Sequence, residues 1–303
     1  MFHPSAAKTG LENPHMIRQP QLSQFPTQAH AFTLIEMLVT ILIIGILAAI
    51  LLPVLANAKK AAQQTYCINN MHEFNLALRM YADDNLNIFI PFVNGSVTYQ
   101  AGGYYVPPTL AGNNDFSGVS STAALQNCEQ ALQNCLLFPY VKNTKIFVCP
   151  GDTRVTLTPG NGFAYCTYSK TQNFAGDAYD NYWGMGANCE KDADVDNPVQ
   201  TFDIVEDTDW RGYNDGTWVV TWDLASSSFT WVDPLAMYHV NANNWGYLDG
   251  HVASHAWRDQ AAVAAGQQAA KGQQVIGFPA ATTGPDYDFV QSGLRFPGWQ
   301  MAP

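Results

Sequence analysis

Charge is scarce in this chain. Only 13% of its 303 residues are Asp, Glu, Lys or Arg, and the 14 basic residues are outnumbered by 25 acidic ones, a formal net charge of −11. The densest basic feature is the pair Lys59–Lys60. Neutralising a phosphate backbone takes clustered cations, so nucleic acid is not an expected partner. None of the six cysteines forms C-x-x-C, which argues against a zinc ribbon and a thioredoxin-type redox site. The motifs G-x-x-x-x-G-K-[ST], G-x-S-x-G and H-E-x-x-H are missing as well. Carboxylates are plentiful enough for a glycosidase pair, but that chemistry depends on their separation in space. An enzyme has no positive support in the sequence.

Aromatic residues are abundant, with 8 Trp and 14 Tyr. Mixed with Gly, Asn and Thr, they point to a β-rich, loop-rich domain outside the cytoplasm. An exported chain with Cys67, Cys128, Cys135, Cys149, Cys166 and Cys189 has room for disulfides, whose pairing stays open. One pair is disfavoured. Cys128 and Cys135 fall in a helix-like run, where seven residues separate their Cα atoms by roughly 10 Å.

The N-terminus has an abrupt boundary. Residues 1–31 are polar and carry Pro14, Pro20 and Pro26; from Phe32 to Leu55 the chain is almost continuously apolar. As a helix this run spans roughly 36 Å, enough to cross a bilayer. Its single charge is Glu36. A carboxylate in such a segment is costly and implies a functional partner. An ordinary anchor and a secretory signal peptide cut after Ala58, in Ala56-Asn57-Ala58, are the competing readings. The run is longer than a usual signal-peptide core.

Phe32-Thr33-Leu34-Ile35-Glu36 resembles the processing and methylation signal of type IV prepilins and type II secretion pseudopilins. The resemblance implies cleavage between Ala31 and Phe32 by a prepilin peptidase, which also methylates the new terminus at Phe32. It assigns Glu36 to filament assembly, neutralising the terminal amine of a neighbouring subunit within the helix bundle. Ala31 stands where the family usually has Gly, and Gln28-Ala29-His30 where it usually has a basic residue. Met16 offers a second start, leaving a shorter leader with Arg18.

Beyond the apolar run, Cys67, Met71, Phe74, Leu78 and Tyr81 recur at spacings of four and three, the stripe of an amphipathic helix ending near residue 82. Pro53 suits a kink or a surface-level break. Further on, we expect a strand at Val97–Tyr99, a helix over 121–142 and a strand at Ile146–Cys149. Trp218, Val220 and Trp222 alternate, as do Phe229 and Trp231, predicting a hairpin. Core packing is the favoured role for these aromatics over a carbohydrate platform. Residues 261–303 read as a short helix and an irregular tail.

Two segments extend the resemblance: Phe147-Val148-Cys149-Pro150-Gly151-Asp152, and His239 followed by nine residues and Asp249-Gly250. Both resemble a group of prepilin-like proteins with an H-X9-DG domain, from planctomycete and verrucomicrobial lineages. Asn244, Tyr247 and His251 fit the context of that motif. From the residues alone, Asp249-Gly250 reads as a two-residue type I′ turn, and His239 as a side chain holding the hairpin by backbone hydrogen bonds. A zinc set of His239, His251 and His255 is weaker. Major pseudopilins bind calcium in a C-terminal loop, which makes Asp192, Asp194 and Asp196 with Asn197 the calcium candidates, although the EF-hand pattern fails. Asp203, Glu206, Asp207 and Asp209 read as a second, solvated acidic cluster.

The expected fold is α+β and pilin-like: a long N-terminal helix, half membrane and half amphipathic, laid on an antiparallel sheet. The expected parts are a cytoplasmic leader 1–31, a span 32–55, a helix continuation 56–85, a globular H-X9-DG domain 86–260 and the tail 261–303. Partners implied by the resemblance are the peptidase/methyltransferase, other pilin subunits and the inner membrane. The alternatives are a single-pass envelope binding module, for instance for polysaccharide, and the secreted protein cut after Ala58.

Overall fold

Helix α1 (Leu34–Asp84) opens on a reciprocal cap. The Thr33 N–H donates to Glu36 Oε2 at 2.8 Å, and the Glu36 N–H donates back to Thr33 Oγ1 at 3.3 Å. Pro53 lies inside the helix, which stops where Leu86 and Asn87 take positive φ. The computed structural model describes residues 33–90, 116–174, 188–208, 217–223, 226, 228–273, 275 and 277–297. Ala31, Phe32, Asp209 and the expected strand at Val97–Tyr99 lie outside the described residues.

The chain divides into two units, residues 1–52 and 53–303. In the first, every large apolar side chain described is exposed, from Val39 at 44% to Leu34 at 83%. Such a surface is stable only in lipid or against other apolar helices. This helix is long and apolar enough to cross a membrane.

The second unit is α+β, as expected. The strands are β1 (Tyr168–Thr171), β2 (Phe202–Glu206), β3 (Thr217–Trp218), β4 (Val220–Asp223), β5 (Ser228–Trp231), β6 (Ala242–Tyr247) and β7 (Val252–Ala256). The main sheet has the order β3-β1-β2-β6-β7, antiparallel except for the short β1–β3 pairing. The outer half of α1 packs on it. Cys67, Met71, Phe74 and Leu78 are buried with Tyr168 and Ile204, and Tyr81 is half-buried beside them. The predicted stripe is therefore core, worth about 2–3 kcal/mol per fully buried large side chain. Polar contacts fix the docking: Asn75 Nδ2 donates to Tyr247 O at 3.3 Å, and His72 Nδ1 lies 3.0 Å from Gly250 O.

A second core joins Phe202, Val205 and Trp245 to the β4–β5 hairpin. That hairpin forms as its alternation predicts, with Trp222 opposite Phe229. Trp218, Trp222 and Trp231 are at most 3% exposed, so they are core and present no platform for sugar.

Four local expectations are corrected. The segment expected as a strand at Ile146–Cys149 begins in a 3-10 turn, Thr144–Phe147, because Asn143 caps it by accepting the Lys145 N–H at 3.0 Å. The helix expected over 121–142 splits into α2 (Ser121–Asn134) and α3 (Phe138–Val141). Extended Cys135 ends the first, and Pro139 enters the first turn of the second, where its missing N–H costs nothing. The C-terminal segment holds two helices, α4 (Gln260–Ala269), capped by Asp259, and α5 (Pro285–Gly293). Val290, Leu294 and Phe296 bury into the hairpin core, so this stretch completes the domain instead of trailing from it. Finally, Asp203, Glu206 and Asp207 are buried on and just after β2, not solvated. Burial pushes the Asp203 carboxyl up and the Lys170 ammonium down, and the attraction between the two opposes both shifts.

Candidate functional site

The two sequence motifs of the domain meet at one buried point. Cys149 follows the 3-10 turn and bonds to Cys67 of α1, with Cα atoms 5.2 Å apart. Cys128 and Cys135 are not joined to each other, as their spacing requires. After Cys149 the chain reverses: the Asp152 N–H donates to Cys149 O at 2.9 Å. Gly151 packs tightly in this turn. A Cβ there would come 3.0 Å from Tyr238 Cβ and 3.6 Å from His239 Cε1.

His239 reaches the disulfide as well, with Nε2 3.3 Å from Cys149 Sγ and 3.2 Å from Glu206 Oε1. Glu206 is the last residue of β2, and its Oε2 accepts the Asn244 N–H at 2.8 Å. The side chains of Glu206 and His239 are wholly buried. His239 therefore holds the β6–β7 hairpin through Glu206, which corrects the sequence expectation of backbone hydrogen bonds. Its Nδ1 has no hydrogen-bond partner among the described residues.

A second network adjoins the first. Arg154 is fully buried against Asp152, with Nη2 2.7 Å from Oδ2. Its Nη2 also donates to Cys166 O at 2.7 Å and Asp207 O at 3.2 Å. Burial works against the guanidinium charge, but Asp152 outweighs it and holds Arg154 well above the ordinary arginine range. Thr167 Oγ1 donates to Asp152 Oδ2 at 2.8 Å.

The Asp-Gly turn differs in type from the expectation. Only Gly250 has positive φ, +94°, and its N–H donates to Tyr247 O at 2.8 Å. The Tyr247 N–H donates to His251 O at 2.9 Å, so Leu248, Asp249 and Gly250 make a three-residue loop in place of a type I′ turn. Asp249 Oδ1 accepts the His251 N–H at 3.2 Å and caps the loop. Asn244 Oδ1 accepts a hydrogen bond from Ser254 Oγ.

The histidines proposed as a zinc set are held apart by different carboxylates. His251 pairs with Asp249 at 2.6 Å and His255 with Asp286 at 2.9 Å, while His239 faces Glu206. The calcium candidates are partly engaged by protein. Asp192 takes both Arg79 nitrogens, at 2.5 and 2.8 Å, and Asp194 Oδ2 accepts the N–H groups of Glu190 and Lys191, each at 3.0 Å. Sequence reasoning missed Glu206 and Arg154. The apolar neighbours of Glu206 in Phe-Asp-Ile-Val-Glu were a signal that it lies on a buried strand.

At the N-terminus, Glu36 accepts from both the backbone and the hydroxyl of Thr33. This cap organises the first turn of α1, ahead of its apolar stretch. Residues 27–52 match the prokaryotic N-terminal methylation motif. The methylation motif covers the Ala31–Phe32 junction, Glu36 and most of the exposed apolar helix, and makes the N-terminus prepilin-like. No curated protein and no solved structure matches the chain.

Proposed function

We propose that this chain is a pilin or pseudopilin subunit, processed between Ala31 and Phe32, N-methylated on Phe32, and assembled through its apolar helix into a type IV pilus-like or type II secretion filament. The methylation motif over residues 27–52 carries this reading. Before assembly the helix rests in the inner membrane, leader inside and the globular domain outside. In the filament Glu36 exchanges its local Thr33 donors for the methylated amine of an adjacent subunit, which removes two uncompensated charges from an apolar bundle. Trp218, Trp222 and Trp231 are buried, so these three offer no support to the polysaccharide-binding alternative.

Mass spectrometry of the N-terminal peptide from native membranes tests the processing step. An N-methylated Phe32 terminus is expected. A chain beginning at Lys59, or retaining Met16–Ala31, overturns it. Glu36→Ala should be processed and folded yet absent from sheared filaments; normal assembly of that variant rules out the role given to Glu36.

A further inference from the structure

We propose that Cys67, Cys149, His239 and Glu206 form a zinc site in the dithiol state of the domain, exchanged for the Cys67–Cys149 disulfide on oxidation. The donor atoms of these four buried residues lie within 4.8 Å of one another, and among the described residues they are the group able to surround a metal ion. The chemistry suits zinc: two thiolates, an imidazole and a carboxylate.

The distances fit as well. A tetrahedral zinc ion with ligands at about 2.0–2.3 Å has ligand–ligand edges of roughly 3.3–3.8 Å. The Nε2–Sγ and Nε2–Oε1 separations are 3.3 and 3.2 Å. Zinc binding requires the two sulfurs to part to such an edge, a movement within reach of side-chain rotation at Cys67 on α1 and Cys149 in its turn.

A disulfide by itself explains little of what surrounds it. A neutral sulfur bridge needs neither acid nor imidazole, and burying both is costly. The Gly151 N–H, 3.3 Å from Cys149 Sγ, favours negative charge on that sulfur. The Asn244 N–H fixes Glu206 with Oε1 toward the sulfurs, the kind of outer support that orients metal ligands. Because His239 Nδ1 is unpartnered among the described residues, neither tautomer is locked. Nε2 can offer a proton to Glu206 in the disulfide state and a lone pair to zinc in the dithiol state.

The exchange balances. Zinc binding to the dithiol releases two thiol protons. Oxidation by an external disulfide forms the Cys67–Cys149 bond, passes two electrons and two solvent protons to that disulfide, which leaves as two thiols, and releases the zinc ion.

The test uses the full chain in detergent, reduced anaerobically with a phosphine, equilibrated with zinc chloride and desalted. Metal per chain is measured against the double variant Cys67→Ser/Cys149→Ser, which corrects for zinc held by Cys128, Cys135, Cys166 and Cys189. We expect one additional equivalent of zinc in the reduced wild type and none in the oxidised protein. Cobalt in place of zinc should give thiolate charge-transfer bands and intense tetrahedral bands. His239→Gln and Glu206→Gln should weaken binding by about tenfold or more, with the oxidised variants checked by circular dichroism for native fold. A reduced wild type that binds no more zinc than the double variant, folded or not, overturns the proposal. So does zinc binding untouched by His239→Gln in a folded protein.

Discussion

Tyr238 donates its phenolic proton to Asp152 Oδ1 at 2.8 Å, tying the residue before His239 to the Cys-Pro-Gly-Asp turn. Asp152 holds Arg154 as well, and both charged side chains are fully buried. Removing one member strands the other charge. Asp152→Ala should cost about 3–5 kcal/mol in urea unfolding, and the double variant Asp152→Ala/Arg154→Met should be less damaged than that single change. Tyr238→Phe should cost about 1–2 kcal/mol.

The disulfide closes a sequence separation of 82 residues. Loop-closure arithmetic gives about 4.5 kcal/mol for a crosslink of this length. In oxidising, zinc-free buffer, Cys67→Ser and Cys149→Ser should each lower stability by that order. Equal unfolding midpoints for variant and wild type, with the bond verified in the wild type, contradict this.

Asp286 links three elements. Its Oδ2 accepts the N–H groups of Arg258 at 2.8 Å and Asp259 at 2.7 Å, and its Oδ1 faces His255 Nε2. Burial alone raises its pKa, but the Asp259 and Arg258 N–H groups and His255 outweigh that and hold the carboxyl below the usual range. A depressed acid contributes stability above its unfolded value, near pH 4, and loses it as pH falls through the folded value. Asp286→Asn should therefore be less stable than wild type at pH 7 and nearly equal to it in strong acid. Thermal melts across pH 2–7 read the convergence.

Gly293, in the last turn of α5, lies flat on Phe202; a Cβ there would meet the ring at 2.1–2.3 Å. Gly293→Ala should destabilise by about 1–3 kcal/mol through overpacking. Gly250→Ala meets no atom within 4 Å, so its cost is the positive φ alone, about 1 kcal/mol.

Helix α1, its buried stripe and the β4–β5 hairpin were legible because each rests on local periodicity. The 3-10 turn at Thr144–Phe147 was not: Ile146 and Val148 imitate a strand, and only the Asn143 cap separates the two outcomes. For α5 the marker was present, Pro285 at the first position, within a stretch whose Gly and Pro content suggested a tail. The His239 site was half legible. Its motif stood out, but its partners Glu206, Cys149 and Cys67 are 33, 90 and 172 positions away, and no period or spacing joins such distant residues.

The covalent link at Cys67 also limits how the domain yields to force. Tension arriving along α1 from its N-terminal side meets the sulfur bridge just after the side-chain hydrogen bonds of Gln63 to Pro150 O and Gln64 to Ser254 Oγ. With the bridge closed, the 82 residues behind it cannot pay out, and roughly 280 Å of extended chain stays locked. Shearing or retraction can unravel the turns ahead of Cys67, but not the loop of chain that the bridge closes.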